Sequence, residues 1–343
     1  YFFEKWRQDM LTFYFFLVLS GFLLGTAFIN ILKKFSLGHN LLIPKGIPLV
    51  GGIGIGLSFI LVSLSVFLIF IYKGLSKEIV GIILSSSIML VFGIFDDWRE
   101  LSIWAKFLMQ IIATCLLVLF GVRTQIVYLG DILNIIITFI WILGITNAFN
   151  HLDVMDGVAS GVAIIAGIAF FAISILNSDI RSAILSLILI GAILSFFLYN
   201  CPPAKIYMGN SGSHLLGFIL AAIALIISYA PLERKVALLS PLLILGLPIF
   251  DTTFLVFIRL INKSLPFKKS NDHLVFRLSA LGYSKKKTLF IMLIFSLFFC
   301  LCGIAASQVS NRLGIGIIVF AALVSLVIGI KMSKRVESIN YEL

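Results

Sequence analysis

The chain has 343 residues, of which 61% are hydrophobic and 12% are charged, and its formal net charge at pH 7 is +11. A soluble domain usually carries about 25% charged residues, so the composition excludes a soluble globular protein and indicates an integral membrane protein. The positive charge is expected to lie beside the membrane, where it favours anionic lipid headgroups and not nucleic acid.

Eleven stretches are apolar over nearly the length of about 20 residues that a helix needs to cross a bilayer. They predict an all-α polytopic membrane protein that forms a single integral membrane domain over residues 1–343. Gly246 and Pro248 are expected to break the ninth span just before Asp251. The predicted spans are 11–32, 49–72, 79–95, 104–122, 132–149, 157–176, 183–199, 214–230, 236–261, 288–307 and 313–330.

Lysine and arginine are unevenly distributed between the connections. The segments after odd-numbered spans, together with the C-terminal tail, hold most of the 26 Lys and Arg residues. By the positive-inside rule that side is cytoplasmic, which predicts an N-terminus outside and a C-terminus inside the cytoplasmic (inner) membrane. The first span lacks a small-residue cleavage site, so we expect it to be retained.

The predicted cytoplasmic side also receives carboxylates that are costly at membrane depth. Asp96 and Asp97 end the third span, Asp153 and Asp156 follow the fifth, and Asp251 lies inside the ninth. A carboxylate at the C-terminal end of a helix opposes the helix dipole and calls for a compensating cation. Ionisable residues in spans are usually functional, although a solvated loop end remains open for Asp96 and Asp97 taken alone.

The segment NAFNHLDVMDGVASG, residues 147–161, sets polar side chains between two apolar runs. In a helix, Asn147, Asn150, Asp153 and Asp156 would form one polar ridge, because they lie three residues apart. Such a ridge must face something other than lipid.

Two glycine-containing segments on the same side are candidates for phosphate binding. In PKGIPLVGGIGIG, residues 44–56, Lys45 precedes a helix start where backbone could approach a phosphate, although glycines also suit close helix packing. Gly209, Ser211, Gly212 and Ser213 immediately precede the apolar helix of the eighth span, where free N–H groups would bind an anion or a serine would cap the helix. Tyr207 beside that turn could stack on a nucleobase or anchor at the membrane interface.

The loop 262–287 is the most basic connection and contains seven Lys and Arg residues. It also contains Asp272, His273 and Arg277. If it folds over the carboxylates, it would contribute the cationic half of a diphosphate site on the cytoplasmic face.

Five motifs, taken in order, resemble those of the polyprenyl-phosphate N-acetylhexosamine-1-phosphate transferases. They are PxxGG after the first span, DD after the third, NAxNxxDxxDG after the fifth, NxxPAxx-aromatic-MGxxGS before the eighth, and PxxDT in the ninth. The resemblance implies transfer of a sugar-1-phosphate from a UDP-N-acetylhexosamine to polyprenyl phosphate, with release of UMP. The number of spans and the PIFDT motif resemble the GlcNAc-1-phosphate branch more than the muramoyl-pentapeptide branch.

The resemblance also implies roles for individual residues. Asp96 and Asp97 would face the polyprenyl phosphate, Tyr207 would stack on uracil, and Asp251 would position the broken ninth helix. The implied catalytic residues are Asp96, Asp97, Asp156 and His273; the implied ligands of Mg²⁺ (or Mn²⁺) are Asn150, Asn210 and Asp156; and the implied substrate-binding residues are Lys45, Asn200, Tyr207, Asp153, Arg277 and Asp251.

The chain departs from the family pattern in three respects. Asn210 stands where the family usually has an Asp that ligates Mg²⁺, which predicts weaker metal binding because an amide oxygen lacks the charge. The segment HLVFR, residues 273–277, replaces a loop that is often richer in histidine, which bears on sugar recognition. Val154 replaces a common glycine, and His151 replaces a common aliphatic residue. A catalytically weakened, lipid-binding family member therefore remains an alternative, as does an ion-coupled transporter, and a homodimer is possible.

Overall fold

The computed structural model of the protein describes residues 2–70, 77–229, 234–261 and 272–340. Within these ranges the chain is helical and forms no strand. The α-helices are α1 (Phe2–His39), α2 (Gly51–Phe70), α3 (Lys77–Trp98), α4 (Ile103–Leu119), α5 (Gly130–Leu152), α6 (Val158–Leu176), α7 (Ile180–Asn200), α8 (Gly209–Ile226), α9 (Ser240–Ile244), α10 (Gly246–Ile261), α11 (Leu274–Ala280), α12 (Lys285–Gln308) and α13 (Asn311–Asn340).

Nine helices in the described ranges are long and apolar enough to cross a membrane: α1, α2, α3, α5, α6, α7, α8, α12 and α13. A tenth span can be counted if the bent pair Lys235–Ile244 and Gly246–Ile261 crosses together. The predicted span 104–122 corresponds to α4, an apolar helix of only 17 residues. The all-α polytopic class is confirmed, whereas the count of eleven crossings stays a prediction.

The predicted break in the ninth span is confirmed. The segments Lys235–Ile244 and Gly246–Ile261 meet at an angle of 69°. A Cβ on Gly246 would approach the Phe299 ring of α12 to 2.6 Å, so the glycine lets α12 pack against the bend. Pro248 lies in the first turn of α10, where its missing N–H interrupts no helical bond.

Helices α7 and α8 form the centre of the bundle, and 78% of each span is buried, compared with 11% for α13. Small residues allow close approach, as helix association in lipid requires; a Cβ on Gly21 of α1 would lie 2.8 Å from the Ile188 carbonyl oxygen of α7. Helix α8 packs against α3 and α5. This arrangement brings the C-terminal ends of α3 and α5 beside the N-terminal end of α8.

Candidate active site

A cavity of about 1500 Å³ lies at this end of the bundle, between the ends of α3, α4, α5, α8, α10, α11 and α12. Segments far apart in the sequence contribute to its wall. Eight of the predicted site residues line it: Asp97, Asn150, Asp153, Asp156, Asn200, Tyr207, Asn210 and His273. Asp96, Asp251 and Arg277 are absent from the described lining, and the side chain of Lys45 lies outside what the structure describes.

Asp97 occupies the N-terminal end of α8. The backbone N–H of Asn210 donates to Asp97 Oδ1 at 2.7 Å, and that of Ser211 donates to Oδ2 at 3.0 Å. Gly209 has φ +77°, and a Cβ there would lie 2.5 Å from Asp97 Oδ2, so a glycine is needed for this approach. The sequence predicts that these N–H groups donate to a ligand anion or to a capping serine. In the structure they donate to a carboxylate of the protein instead.

Asp96 is paired with a cation that the sequence analysis did not identify. Lys106 Nζ lies 2.8 Å from Asp96 Oδ2, and the Leu101 N–H donates to Oδ1 at 2.8 Å. Asp96 is buried behind the wall, whereas Lys106 lines the cavity. Lys106 and the positive end of α8 therefore balance the negative charge of Asp96 and Asp97 at the end of α3, as the sequence predicts that a cation must. Lys106 was recognisable only as a lone cation at the start of an apolar helix.

The NAFNHLDVMDG segment is helical only up to Leu152, so a continuous helical ridge does not form. Asn147, Asn150, Asp153 and Asp156 nevertheless all line the cavity, as the requirement for a non-lipid surface predicted.

The polar groups of this segment connect α5 with α8 and α12. Asn150 Nδ2 donates to Asn210 Oδ1 at 3.1 Å and to Ser213 Oγ at 2.9 Å. Asp156 Oδ2 accepts from the Ala204 N–H at 3.2 Å and lies 3.8 Å from Lys285 Nζ.

Asp153 lies near two carboxylates, Asp97 and Asp156, each of which has a hydrogen-bond or ion-pair partner. Burial, followed by repulsion from Asp97 and Asp156, raises the pKa of Asp153 to about 7. The smaller contribution, repulsion, reflects three carboxylates that lie near one another in the cavity. A cation bound there would reduce this repulsion.

The described residues contain no cluster of three or more His, Cys, Asp or Glu with metal-ligand spacing. Magnesium is usually held by one or two carboxylates together with phosphate oxygens and water, and does not require such a cage. The carboxylate oxygens of Asp153 and Asp156 and the amide oxygens of Asn150 and Asn210 line the same cavity and are hard donors of the type that Mg²⁺ prefers. The donor set therefore fits Mg²⁺.

The glycines of PxxGG serve helix packing. The N–H groups of Gly51 and Gly52 donate to the carbonyl oxygens of Tyr207 and Met208 at 3.0 and 2.9 Å. A Cβ on Gly52 would collide with the backbone of Gly212. These contacts hold Tyr207 at the rim of the cavity, and they leave the two N–H groups unavailable to a phosphate.

Asn200, predicted to contact the nucleoside, has both polar atoms engaged within the protein. Its Oδ1 accepts from the Gly157 N–H at 2.8 Å and the Ser160 hydroxyl at 3.3 Å, and its Nδ2 donates to the Ile206 carbonyl at 3.0 Å. Asn200 therefore joins the turn before α6 to the segment that carries Tyr207. Its contact with a ligand stays a prediction.

Arg277, predicted to bind diphosphate or sugar, points into the protein. Its guanidinium donates to the Asp272 carbonyl and carboxylate and to the Met332 carbonyl, at 3.1 to 3.3 Å. It also lies over the Phe254 ring at 5.2 Å. Arg277 anchors α11 against α10 and α13. The cation that lines the cavity from this side is Arg259 of α10, which the sequence analysis did not select.

The comparisons with known proteins agree with this arrangement. A family model described as glycosyl transferase family 4 matches residues 79–228. A probable undecaprenyl-phosphate N-acetylglucosaminyl 1-phosphate transferase of Bacillus subtilis is 31% identical over 305 residues, which cover 84% of this chain and 83% of the relative. The chain belongs to the polyprenyl-phosphate N-acetylhexosamine-1-phosphate transferase family.

Other members of the family are similar over shorter stretches. A decaprenyl-phosphate N-acetylglucosaminephosphotransferase of Mycolicibacterium smegmatis is 29% identical over 62% of this chain and 59% of its own length. A phospho-N-acetylmuramoyl-pentapeptide-transferase of Lactiplantibacillus plantarum is 34% identical over 40% of this chain and 48% of its own length. Membership in this enzyme family, with the carboxylates gathered at one end of the helices, argues against the transporter alternative.

Proposed function

We propose that the protein transfers GlcNAc-1-phosphate from UDP-GlcNAc to a polyprenyl phosphate, forming polyprenyl-diphosphate-GlcNAc and UMP as a first membrane step of cell-envelope glycan synthesis. The observation that carries the proposal is one cavity at the ends of the spans in which three aspartates, Lys106 and Lys285 converge. The similarity to a relative named for this reaction, over 84% of the chain, supports the same assignment.

The proposed location is the cytoplasmic face of the inner membrane, with the N-terminus outside. The excess of Lys and Arg on the connections of that side supports it. The cavity lies at the C-terminal ends of α3 and α5, which precede two of those connections, so a water-soluble nucleotide sugar and a membrane-embedded phosphate could meet there. A homodimer stays a prediction.

The proposed chemistry needs positioning and charge neutralisation more than a strong base. A phosphate monoester has a second pKa near 6, so the acceptor is largely the nucleophilic dianion at neutral pH. The obstacle is the approach of this dianion to a diphosphate. Lys106 and Lys285 would bind phosphate oxygens, and Tyr207 would stack on uracil.

Magnesium is part of the proposal as a cofactor. Asn150, Asn210 and Asp156 would hold it, and when bound it would neutralise charge on the diphosphate. Asp97 keeps the N-terminal end of α8, and with it Asn210, in place. Asp96 orients Lys106, and we therefore do not assign it the role of a general base.

A muramoyl-pentapeptide donor is the second candidate, because a relative with that name is 34% identical over part of the chain. The larger coverage of the GlcNAc relative favours UDP-GlcNAc. A weakened enzyme is the third candidate and rests on Asn210.

The test is release of UMP by the purified protein with UDP-GlcNAc and undecaprenyl phosphate, in detergent, with Mg²⁺ or with a chelator. We expect release that requires the lipid and the metal. Release with UDP-MurNAc-pentapeptide alone would select the second candidate. Silence from the protein together with activity from Asn210→Asp would select the third, and silence from both with either donor would refute the proposal.

A matched pair of variants shows that the activity comes from this cavity. Asp156→Asn should abolish release, because it removes a carboxylate beside Asp153 and Lys285. Asp131→Asn should leave release unchanged, because Asp131 is exposed and pairs with Arg123 at the start of α5, away from the cavity. Equal activity of both variants would show that the site lies elsewhere.

A further inference from the structure

The wall of the cavity on the side of α10 and α11 contains a buried carboxylate–imidazole pair. Asp251 is 1% exposed and His273 is 5% exposed. Asp251 Oδ2 lies 2.9 Å from His273 Nδ1, and Oδ1 accepts from the Leu274 N–H at 2.9 Å. His273 lines the cavity, whereas Asp251 is absent from the described lining. Within the described part of the chain, Asp251 reaches the cavity through His273.

This geometry decides which ring nitrogen of His273 carries the proton. An ionised carboxylate can only accept hydrogen bonds, so the proton of the neutral ring lies on Nδ1 and Nε2 is left as an acceptor. The second bond, from Leu274, holds the carboxylate at the first residue of α11. The orientation of the ring is thus tied to both α10 and α11.

The surroundings of His273 suit an uncharged ligand that donates hydrogen bonds. Apart from Arg259, the residues of α10 and α11 that the structure describes in this wall have neutral side chains, including Val275 and Ser279. The ring of Phe276 lies 6.1 Å from that of His273. A sugar ring offers apolar faces together with hydroxyl and amide donors, whereas a phosphate at neutral pH mainly accepts.

A second imidazole beside the pair also needs a ligand partner. The rings of His151 and His273 are 6.2 Å apart in an edge-on arrangement. His151 Nδ1 is buried and makes no hydrogen bond within the described part of the chain. A buried polar atom without a partner is costly unless a ligand supplies one.

We propose that Asp251 is a positioning residue for recognition of the donor sugar: it holds the ring proton of His273 on Nδ1, so that Nε2 accepts a hydrogen bond from a sugar hydroxyl or amide N–H. This inference rests on the proposed function, because it requires a nucleotide sugar in the cavity. Asp251 takes part in recognition without touching the substrate.

Asp251→Asn is the variant that tests the proposal. The asparagine has the shape of the aspartate, and its Oδ1 can still accept from the Leu274 N–H. Its Nδ2, however, donates to His273 Nδ1, which moves the ring proton to Nε2 and turns the acceptor into a donor. ¹⁵N NMR of histidine-labelled protein should show the protonated nitrogen change from Nδ1 to Nε2.

The effects of the variant on binding distinguish recognition of the sugar from recognition of the diphosphate. The KM for UDP-GlcNAc should rise about 10- to 100-fold in Asp251→Asn, the range found when the carboxylate partner of a metal-binding histidine is changed. Inhibition by UDP, which has no sugar, should stay within about twofold of the wild type. In the wild type, the His273 Nε2 resonance should shift when UDP-GlcNAc is added and stay unchanged when UDP is added.

Asp272→Asn is the matched control. Asp272 lies next to His273 in the chain but pairs with Arg277 at 3.3 Å and is absent from the described lining. If Asp251 only capped α11, Asp251→Asn would keep that contact and behave like Asp272→Asn.

The proposal is overturned by an unchanged proton position, by an unchanged KM, or by an equal loss of affinity for UDP and UDP-GlcNAc. If Asp251→Asn does not fold, the response of the wild-type Nε2 resonance to the two nucleotides decides. The resonance measurements need no turnover. A wild-type protein that binds UDP-GlcNAc but releases no UMP would therefore count against the proposed function and not against the proposed role of Asp251 and His273.

Discussion

The contact between Asp97 and the N-terminal end of α8 predicts a large stability loss for Asp97→Asn. The carboxylate accepts two backbone N–H groups, from Asn210 and Ser211. An asparagine retains one acceptor and turns an NH₂ group towards the other N–H. The lost charge-assisted bond is worth about 1.5–3 kcal/mol and the lost helix-end interaction about 1 kcal/mol. Burial of the charged carboxylate costs free energy that a neutral asparagine does not incur, and repulsion with Asp96 and Asp153 is relieved. These two effects offset part of the loss and leave a net destabilisation of roughly 1–2 kcal/mol.

The assay is equilibrium unfolding of purified protein in mixed detergent micelles, with two further comparisons. Gly209→Ala should be destabilised in the same range, because the new Cβ would lie 2.5 Å from Asp97 Oδ2 and push the carboxylate away from the N–H groups. The matched controls are Asp131→Asn, at an exposed ion pair, and Gly316→Ala, whose Cβ would meet nothing within 4 Å. The reasoning is refuted if Asp97→Asn is as stable as these controls.

Three further predictions follow from the site. Asn210→Asp should lower the Mg²⁺ concentration for half-maximal UMP release about tenfold, because a carboxylate adds charge while still accepting from Asn150; an unchanged titration would contradict this. Lys106→Met should destabilise the protein by about 3–5 kcal/mol, since Asp96 is left buried and unpaired; the same unfolding assay checks it, and a loss below 1 kcal/mol would count against the ion pair. Because the folded pKa of Asp153 is raised to about 7, folding favours its protonated form, so in chelator the wild type should lose stability between about pH 4 and pH 7. Asp153→Asn should flatten that slope, and parallel curves for the two proteins would exclude Asp153 as its source.

Several features of the fold could be predicted from the sequence because they depend on local chemistry. A run of about 20 apolar residues must satisfy its backbone hydrogen bonds as a helix in lipid, and the structure has helices at the predicted positions. Gly246 and Pro248 marked the break before Asp251, because their effects on a helix do not depend on distant residues. The predicted site residues also include eight that line the cavity.

The partners of the charged side chains were decided only by the tertiary structure. A predicted span does not reveal which helix end it will face, and the hydrogen-bond partner of a carboxylate is whatever group the packing brings within about 3 Å. Asp97 therefore meets the N–H groups of α8, although those groups looked available to a ligand. Arg277, selected as a ligand cation, turns inward to Asp272 and Met332, and Lys106 and Arg259 face the cavity instead. The sequence by itself determined the helices and the residue types at their ends, whereas the packing of α8 between α3 and α5 decided which charges meet a ligand and which meet one another.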